Sequence, residues 1–389
     1  MSVTAPEGFT AAGIAAGIKA SGATDLALVA VDAGQGRVAA GAGVFTRNLM
    51  TAAPVLVSKA HLRASMGHVA AVILNSGNAN AATGEPGSRH AQTMCDLVAA
   101  EFAVDPHQVL VCSTGLIGIP MPMAVIEPAI PRLVAARSAD GGAAAAAAIM
   151  TTDTHPKEVV VRGAGFTLGG MAKGAAMLSP DMATMLAVLT TDARATPAEL
   201  HAALSAGVHR SFNTLDVDGC TSTNDTVLLL SSGRAGPVDP QALEAAVAEA
   251  CTDLAEQMAG DAEGATKVVR FTVTGARSDD EAATGARYVA RSQLVKCSWY
   301  GNDPYWGRIA SDLGSSGIGF DAALVQVAYD GVMVCRHGVE IDHDRDAVAA
   351  HMAGRHLEIT ADLGLGIGRA TILTNDLTHA YIDENMGTS

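Results

Sequence analysis

KGAAMLSPDMATMLAVLTTD, residues 173–192, joins two kinds of chain. Gly174, Ser179 and Pro180 make its first half irregular. Met185-Leu186-Ala187-Val188-Leu189 is then a short apolar run that fits a buried strand or the start of a buried helix. Thr184 stands at the junction, where an irregular segment enters a rigid element and a hydroxyl can be held in a dry, shaped setting. The plain structural reading is a buried threonine bonded to a backbone carbonyl. The chemical reading is a nucleophile. A threonine hydroxyl is not ionised near neutral pH and needs a base beside it, and one solution is its own amine once the chain is cut before it.

Outward from this run, β-type segments recur between Gly-rich turns: Leu26 to Val31, Ala70 to Leu74, Val109 to Cys112, Glu158 to Val161, Val227 to Leu230 and Val268 to Val273. Helical stretches fall between them at Arg89 to Phe102, Ala143 to Met150, Ala198 to Ser211 and Pro240 to Met258. Such alternation predicts a mixed α/β architecture. The Ala-rich run reads as a packed helix, since alanine is the best helix former. A smaller second unit is expected within about 237–389, its start placed near Gly236-Pro237 or near Arg277 to Thr284. Gly364 to Gly368 lacks the G-x-G-x-x-G spacing and reads as a turn, not a phosphate loop.

Composition narrows the function. A net charge of −15 argues against a nucleic-acid surface, which needs a basic stripe. No apolar run reaches the roughly 18 residues of a membrane span, and residues 1–22 lack the form of a signal peptide, so a cytoplasmic protein is expected. The six cysteines are scattered with no C-x-x-C, which reads as buried thiols rather than disulfides or a zinc site. The histidines form no H-E-x-x-H, and no metal centre is expected.

Val111 to Gly118 reads as a strand ending in a hydroxyl–glycine turn. Taken alone it is an ordinary turn, yet a Gly115 N–H beside the Thr114 hydroxyl makes a sensible pair of donors for a tetrahedral intermediate. Met150-Thr151-Thr152-Asp153 followed by Pro156-Lys157, and Asp261-Ala262-Glu263-Gly264-Ala265-Thr266-Lys267, are further polar runs. Lys173 alone would be a snorkelling surface lysine and Glu263 a solvated helix end.

Together these segments resemble the ornithine acetyltransferase family, also called glutamate N-acetyltransferase. Residues 173–193 stand in register with its self-cleavage segment, close to KGxGMxxPxxATML followed by TTDA, and matching segments cover nearly the whole chain in order. The resemblance implies a layered αββα-type core with a second, smaller α/β domain, as in the DmpA-like fold. It implies cleavage between Ala183 and Thr184, giving an α chain of residues 1–183 and a β chain of residues 184–389. Thr184 is then the nucleophile, and Thr114 and Gly115 form the oxyanion hole. Thr151 (or its neighbour Thr152), Lys173, Thr184, Glu263, Asn385 and Ser389 touch substrate.

The implied reaction moves acetyl from N2-acetylornithine to glutamate through an acetyl-Thr184 intermediate, with ping-pong kinetics and no resident cofactor. Bifunctional members also accept acetyl-CoA. The implied assembly is a heterotetramer of two α and two β chains. The tail, ENMGTS at 384–389, is one residue shorter than the family's usual end, and Cys297 and Tyr305 replace its usual Thr and Asn. Alternatives stay open: an amidohydrolase, an aminopeptidase or an acyltransferase paralogue of altered specificity on the same fold, or a non-catalytic paralogue that binds an amino acid. Asn75 to Asn80 and Phe212 to Thr226 also resemble family segments and read mainly as structural turns.

Overall fold

The computed structural model describes residues 2–32, 38–179 and 185–386. Ala183, Thr184 and Ser389 lie outside these described residues. The chain divides into two units, Met1–Asn213 with Cys220–Met258, and Thr214–Gly219 with Ala259–Ser389.

The strands of the first unit are β1 (Phe9–Ile14), β2 (Leu26–Val31), β3 (Ala39–Phe45), β4 (His68–Val69), β5 (Ala71–Asn75), β6 (Val109–Ser113), β7 (Lys157–Gly163), β8 (Phe166–Lys173), β9 (Leu186–Arg194) and β10 (Thr226–Pro237). Its helices are α1 (Ala53–Ala64), α2 (Gly84–Phe102), α3 (Met123–Ile126), α4 (Ile130–Ala135), α5 (Gly142–Ala148), α6 (Pro197–Arg210) and α7 (Pro240–Gly260). They form two sheets, ordered β1-β2-β5-β6 and β4-β3-β10-β9-β8-β7.

The apolar run after Thr184 is a strand, not a helix. Side chains alternate across a strand, so Leu186 and Val188 of β9 face one way and Ala187 and Leu189 the other. The first pair packs with Leu228 and Leu230 of β10 and with Val29, Leu74 and Cys112 of the other sheet. This apolar layer between the sheets is the centre of the unit. On the far side of the first sheet, Leu28, Ile73 and Val111 pack on Met94, Cys95 and Val98 of α2 and Leu133 of α4. The far side of the second sheet carries α6 against β3 and β10. Gly207 of α6 lies in turn against Val247 and Cys251 of α7. The order helix, sheet, sheet, helix is the αββα layering that the resemblance implied.

The polar end of β9 is satisfied internally, which explains why Thr-Thr-Asp can be buried. The Thr190 hydroxyl donates to the Val3 carbonyl at 2.6 Å and the Thr191 hydroxyl to the Thr167 carbonyl at 2.8 Å. The Asp192 carboxylate accepts the Thr167 N–H at 2.7 Å. Helix α6 starts where the sequence dictates. Thr196 and Glu199 cap each other's backbone N–H groups, and Pro197 takes the first helical position.

The second unit holds β11 (Val268–Ala276), β12 (Gln326–Tyr329), β13 (Val332–Arg336), β14 (Val339–Glu340), β15 (His356–Asp362) and β16 (Gly368–Asn375) in the order β14-β13-β12-β15-β11-β16. Its helices are α8 (Asp279–Arg291), α9 (Gln293–Tyr300), α10 (Trp306–Ser315), α11 (Arg345–Ala353) and α12 (His379–Asn385). Phe271, Trp299, Tyr329 and Ile359 anchor its core. The division falls at Ala259, near the end of α7, rather than at Gly236-Pro237, which closes β10. Arg277 to Thr284 is not a loop. Ser278 caps α8 by accepting the Glu281 N–H, and Asp279, Asp280 and Glu281 favour the helix N-terminus. Cys95, Cys112, Cys251 and Cys335 are buried, whereas Cys220 and Cys297 are exposed, a correction to the expectation of buried thiols. Of the expected turn Gly364 to Gly368, residues 364–367 connect β15 to β16, and Gly368 opens β16.

Lys296 of α9 is buried beside Cys297 and donates to the Thr374 hydroxyl at 3.0 Å. Burial pushes its pKa down to about 8 against the pull of Asp216, Asp218 and Asp376. The folded chain therefore gives up this proton near pH 8, whereas the unfolded chain keeps it until about 10.5. Stability gained from this group should rise across that window, by about 3 kcal/mol in all. Urea midpoints measured near pH 8 and near pH 10 should show the rise in the wild type and a flatter profile in Lys296→Met.

Candidate functional site

Five elements of the first unit bring their ends together around the peptide that follows Thr184. Met185 leads into β9, whose Leu186 pairs with Lys173 at the end of β8 and with Thr226 at the start of β10. The Met185 N–H donates to the Asp225 carboxyl at 2.9 Å. The next residue back, Asn224, donates through its amide to the Ser113 carbonyl at 2.8 Å and to the Ala79 carbonyl at 2.6 Å. Ser113 ends β6 and leads into Thr114 and Gly115. Two hydrogen bonds, joined by the Asn224–Asp225 peptide, thus link Met185 to Ser113, the residue before Thr114 and Gly115.

Thr114 and Gly115 are set by the loop after β5. The Thr114 N–H donates to the Asn75 carbonyl at 3.0 Å, and Asn78 bridges to Thr114 and Leu116. Among the described residues, neither the Thr114 hydroxyl nor the Gly115 N–H is committed to a hydrogen bond of normal geometry. That leaves both able to donate to an oxyanion. Gly115 is obligatory on two grounds. Its φ is +129°, and a Cβ would lie 2.3 Å from the Gly77 carbonyl carbon. Gly115→Ala should force the two loops apart and lower kcat by about 10²–10³-fold, the usual scale for losing one oxyanion donor. Steady-state kinetics beside a thermal melt check this, and unchanged kcat would remove Gly115 from the site.

Asp153 is the electrostatic hub. It is buried, bonds the fully buried Lys157 ammonium at 2.5 Å, and lies 3.8 Å from the Lys173 ammonium. It also accepts the Thr151 N–H at 3.0 Å and the Gly174 N–H at 2.7 Å. Burial works against its charge, but Lys173 and Lys157 outweigh that and hold the carboxyl well below the ordinary range. One carboxylate thus faces two ammonium groups. Lys173 is buried, not a surface lysine, because β8 runs through the interior. Thr151 is half-buried and Thr152 exposed, which favours Thr151 as the inward contact. The Lys19 ammonium donates to the neighbouring Met150 carbonyl at 2.8 Å.

In the second unit, Glu263 is buried in a turn, contrary to a solvated helix end, because α12 and its cap cover it. The Asn385 amide donates to the Glu263 carboxylate at 2.7 Å, so two expected substrate contacts meet directly. The Thr378 hydroxyl, which caps α12, donates to the Gly264 carbonyl at 2.7 Å. Sequence reasoning gave no role to Asp153, Lys157, Asn224 or Asp225. The available signal was their place inside matched motifs, each beside a residue that had been given a role. Among the described residues no group of three His, Cys, Asp or Glu stands ready to hold a metal, and no helix is long and apolar enough to cross a membrane.

The first unit is a two-sheet α/β layer that brings the Thr114–Gly115 turn, Asp225 and the buried Asp153–Lys157–Lys173 cluster to its strand ends. Comparison with known proteins agrees along the whole length. The ArgJ family profile matches residues 10–387. The arginine biosynthesis bifunctional protein ArgJ of Mycobacterium leprae is 48% identical over 392 residues, covering 98% of this chain and 94% of that protein. Its namesake in Thermobifida fusca is 46% identical over 386 residues, covering 99% of each. A solved ornithine acetyltransferase from Mycobacterium tuberculosis, complexed with ornithine, is 44% identical over 48% of this chain and 96% of that chain, with a TM-score of 0.44. The chain belongs to the ArgJ family.

Proposed function

We propose that this chain is an acyltransferase of arginine biosynthesis that carries acetyl from N2-acetylornithine to glutamate on Thr184. The observation that supports it most is the uncommitted Thr114–Gly115 donor pair, tied through Asn224 and Asp225 to the residue after Thr184. In maturation, the Thr184 hydroxyl attacks the Ala183 carbonyl and the resulting ester is hydrolysed. This leaves residues 1–183 and 184–389 as separate chains and frees the Thr184 amine.

In turnover, that amine takes the hydroxyl proton as the oxygen attacks the acetyl carbonyl. Thr114 and Gly115 stabilise the oxyanion, and ornithine leaves with a proton on its nitrogen. The glutamate amine then attacks the acetyl ester, and Thr184 regains its hydroxyl. Lys173, held beside Asp153, receives a substrate carboxylate. Glu263, positioned by Asn385, receives a substrate ammonium group. Thr151 and Ser389 add further contacts. The scheme needs no resident cofactor. Acetyl-CoA enters as a second donor, as the word bifunctional in the relatives' names suggests, and the working assembly is two α and two β chains.

Acetylornithine, acetyl-CoA, glutamate and ornithine assayed in all donor–acceptor pairings test this reading. N-acetylglutamate should form from acetylornithine, with parallel-line kinetics. Acetate released at the same rate without glutamate would make the chain a hydrolase instead.

A further inference from the structure

We propose that Asp225 is a positioning residue for Thr184, fixing the peptide that follows it for both cleavage and acyl transfer. The proposal rests on Thr184 being the nucleophile. Met185 is held at both of its backbone polar groups by consecutive residues. Its N–H donates to Asp225 Oδ1 at 2.9 Å, and its carbonyl accepts the Thr226 N–H at 3.1 Å. Thr226 then opens the parallel pairing of β10 with β9. Asp225 is itself anchored, because its carbonyl accepts the Thr46 N–H at 2.9 Å from the end of β3. Three strands therefore converge on the residue adjoining Thr184, and the Asp225 side chain holds that residue's N–H.

The chemistry of Asp225 is unusual for a mere cap. The residue is fully buried. Among the described residues its Oδ2 closes no hydrogen bond of normal geometry, although the Ser222 and Thr46 hydroxyls and the Lys173 ammonium favour its charged form. Burial outweighs them and raises the carboxyl well above the usual range, which favours its neutral form. Asparagine has the same shape and keeps an Oδ1 to accept the Met185 N–H. Alanine removes the acceptor, strands the Met185 N–H and lets the junction move. A displacement near 1 Å costs about 10²-fold in rate.

Asp225→Asn and Asp225→Ala are to be compared with wild type and Thr184→Ala. Cleavage is followed on denaturing gels, acetyl transfer by kcat and KM, and folding by thermal melts. Asparagine should cleave and turn over within about threefold of wild type. Alanine should slow cleavage and lower kcat by about 10²-fold with KM for glutamate little changed. If alanine performs like wild type, or if folded asparagine fails as badly as alanine, Asp225 does not act by positioning. Should the alanine chain not fold, the asparagine variant decides: near-wild-type rates support the role, and a loss beyond about tenfold overturns it. A wild type that stays uncut yet transfers acetyl would instead remove the reading of Thr184, and Thr184→Ala identifies that case by keeping its activity.

Discussion

Thr184→Ala stays a single uncut chain and transfers no acetyl group. Deleting a covalent nucleophile typically costs on the order of 10⁶-fold in kcat, because the uncut chain then frees no amine and the proposed oxyanion donors and substrate contacts have no nucleophile to serve. The fold should be untouched. The apolar run from Leu186 onward, which carries the packing between the sheets, begins after the substitution. Circular dichroism and the melting midpoint should therefore match a wild-type sample. Thr184→Ser keeps the hydroxyl and the amine and should retain cleavage and a measurable rate. Turnover by the alanine variant would end the covalent scheme.

Asp153→Asn should damage stability and activity together. The Lys157 ammonium is wholly buried and the Lys173 ammonium nearly so, and Asp153 is the carboxylate that faces both. Removing one partner of a buried ion pair usually costs about 3–5 kcal/mol, because the remaining charge is stranded without water. Against a total stability of about 5–15 kcal/mol this is a large share. The pH dependence has a definite sign. The folded carboxyl is held below its unfolded value, so its contribution is fully present above the unfolded pKa near 4 and declines as pH falls below that. Urea unfolding at pH 7 should show the full difference between wild type and variant, and the difference should shrink towards pH 3. Activity should fall as well, since Thr151, Gly174 and Lys173 all take their positions from this carboxylate.

Much of this was legible in the sequence, for reasons that particular residues show. Val109 to Cys112 and Leu26 to Val31 are fully buried strands, and continuous apolar runs between Gly-rich turns announce such strands well. Helix α6 was bounded within a residue at each end because Thr196-Pro197 is a strong start signal. The run after Thr184 was ambiguous between strand and helix, since five apolar residues carry no periodicity that separates the two. Strands β1, β3 and β8 escaped notice because they are rich in Gly and Ala, FTAAGI, AAGAGVF and FTLGGMAK, and their burial comes from layering rather than bulk. Asp153 and Asp225 were invisible as buried acids because nothing local marks a carboxylate that distant strands will cover. Glu263 looked solvated for the same reason.

The central claim is that a chain scission creates the catalytic amine, and intact-mass analysis of active protein after a pulse of acetylornithine tests it most directly. Two fragments should appear, residues 1–183 and 184–389, with the acetyl group carried by the second at its first residue. A single unbroken polypeptide that turns over substrate and carries no acetyl at Thr184 would contradict it.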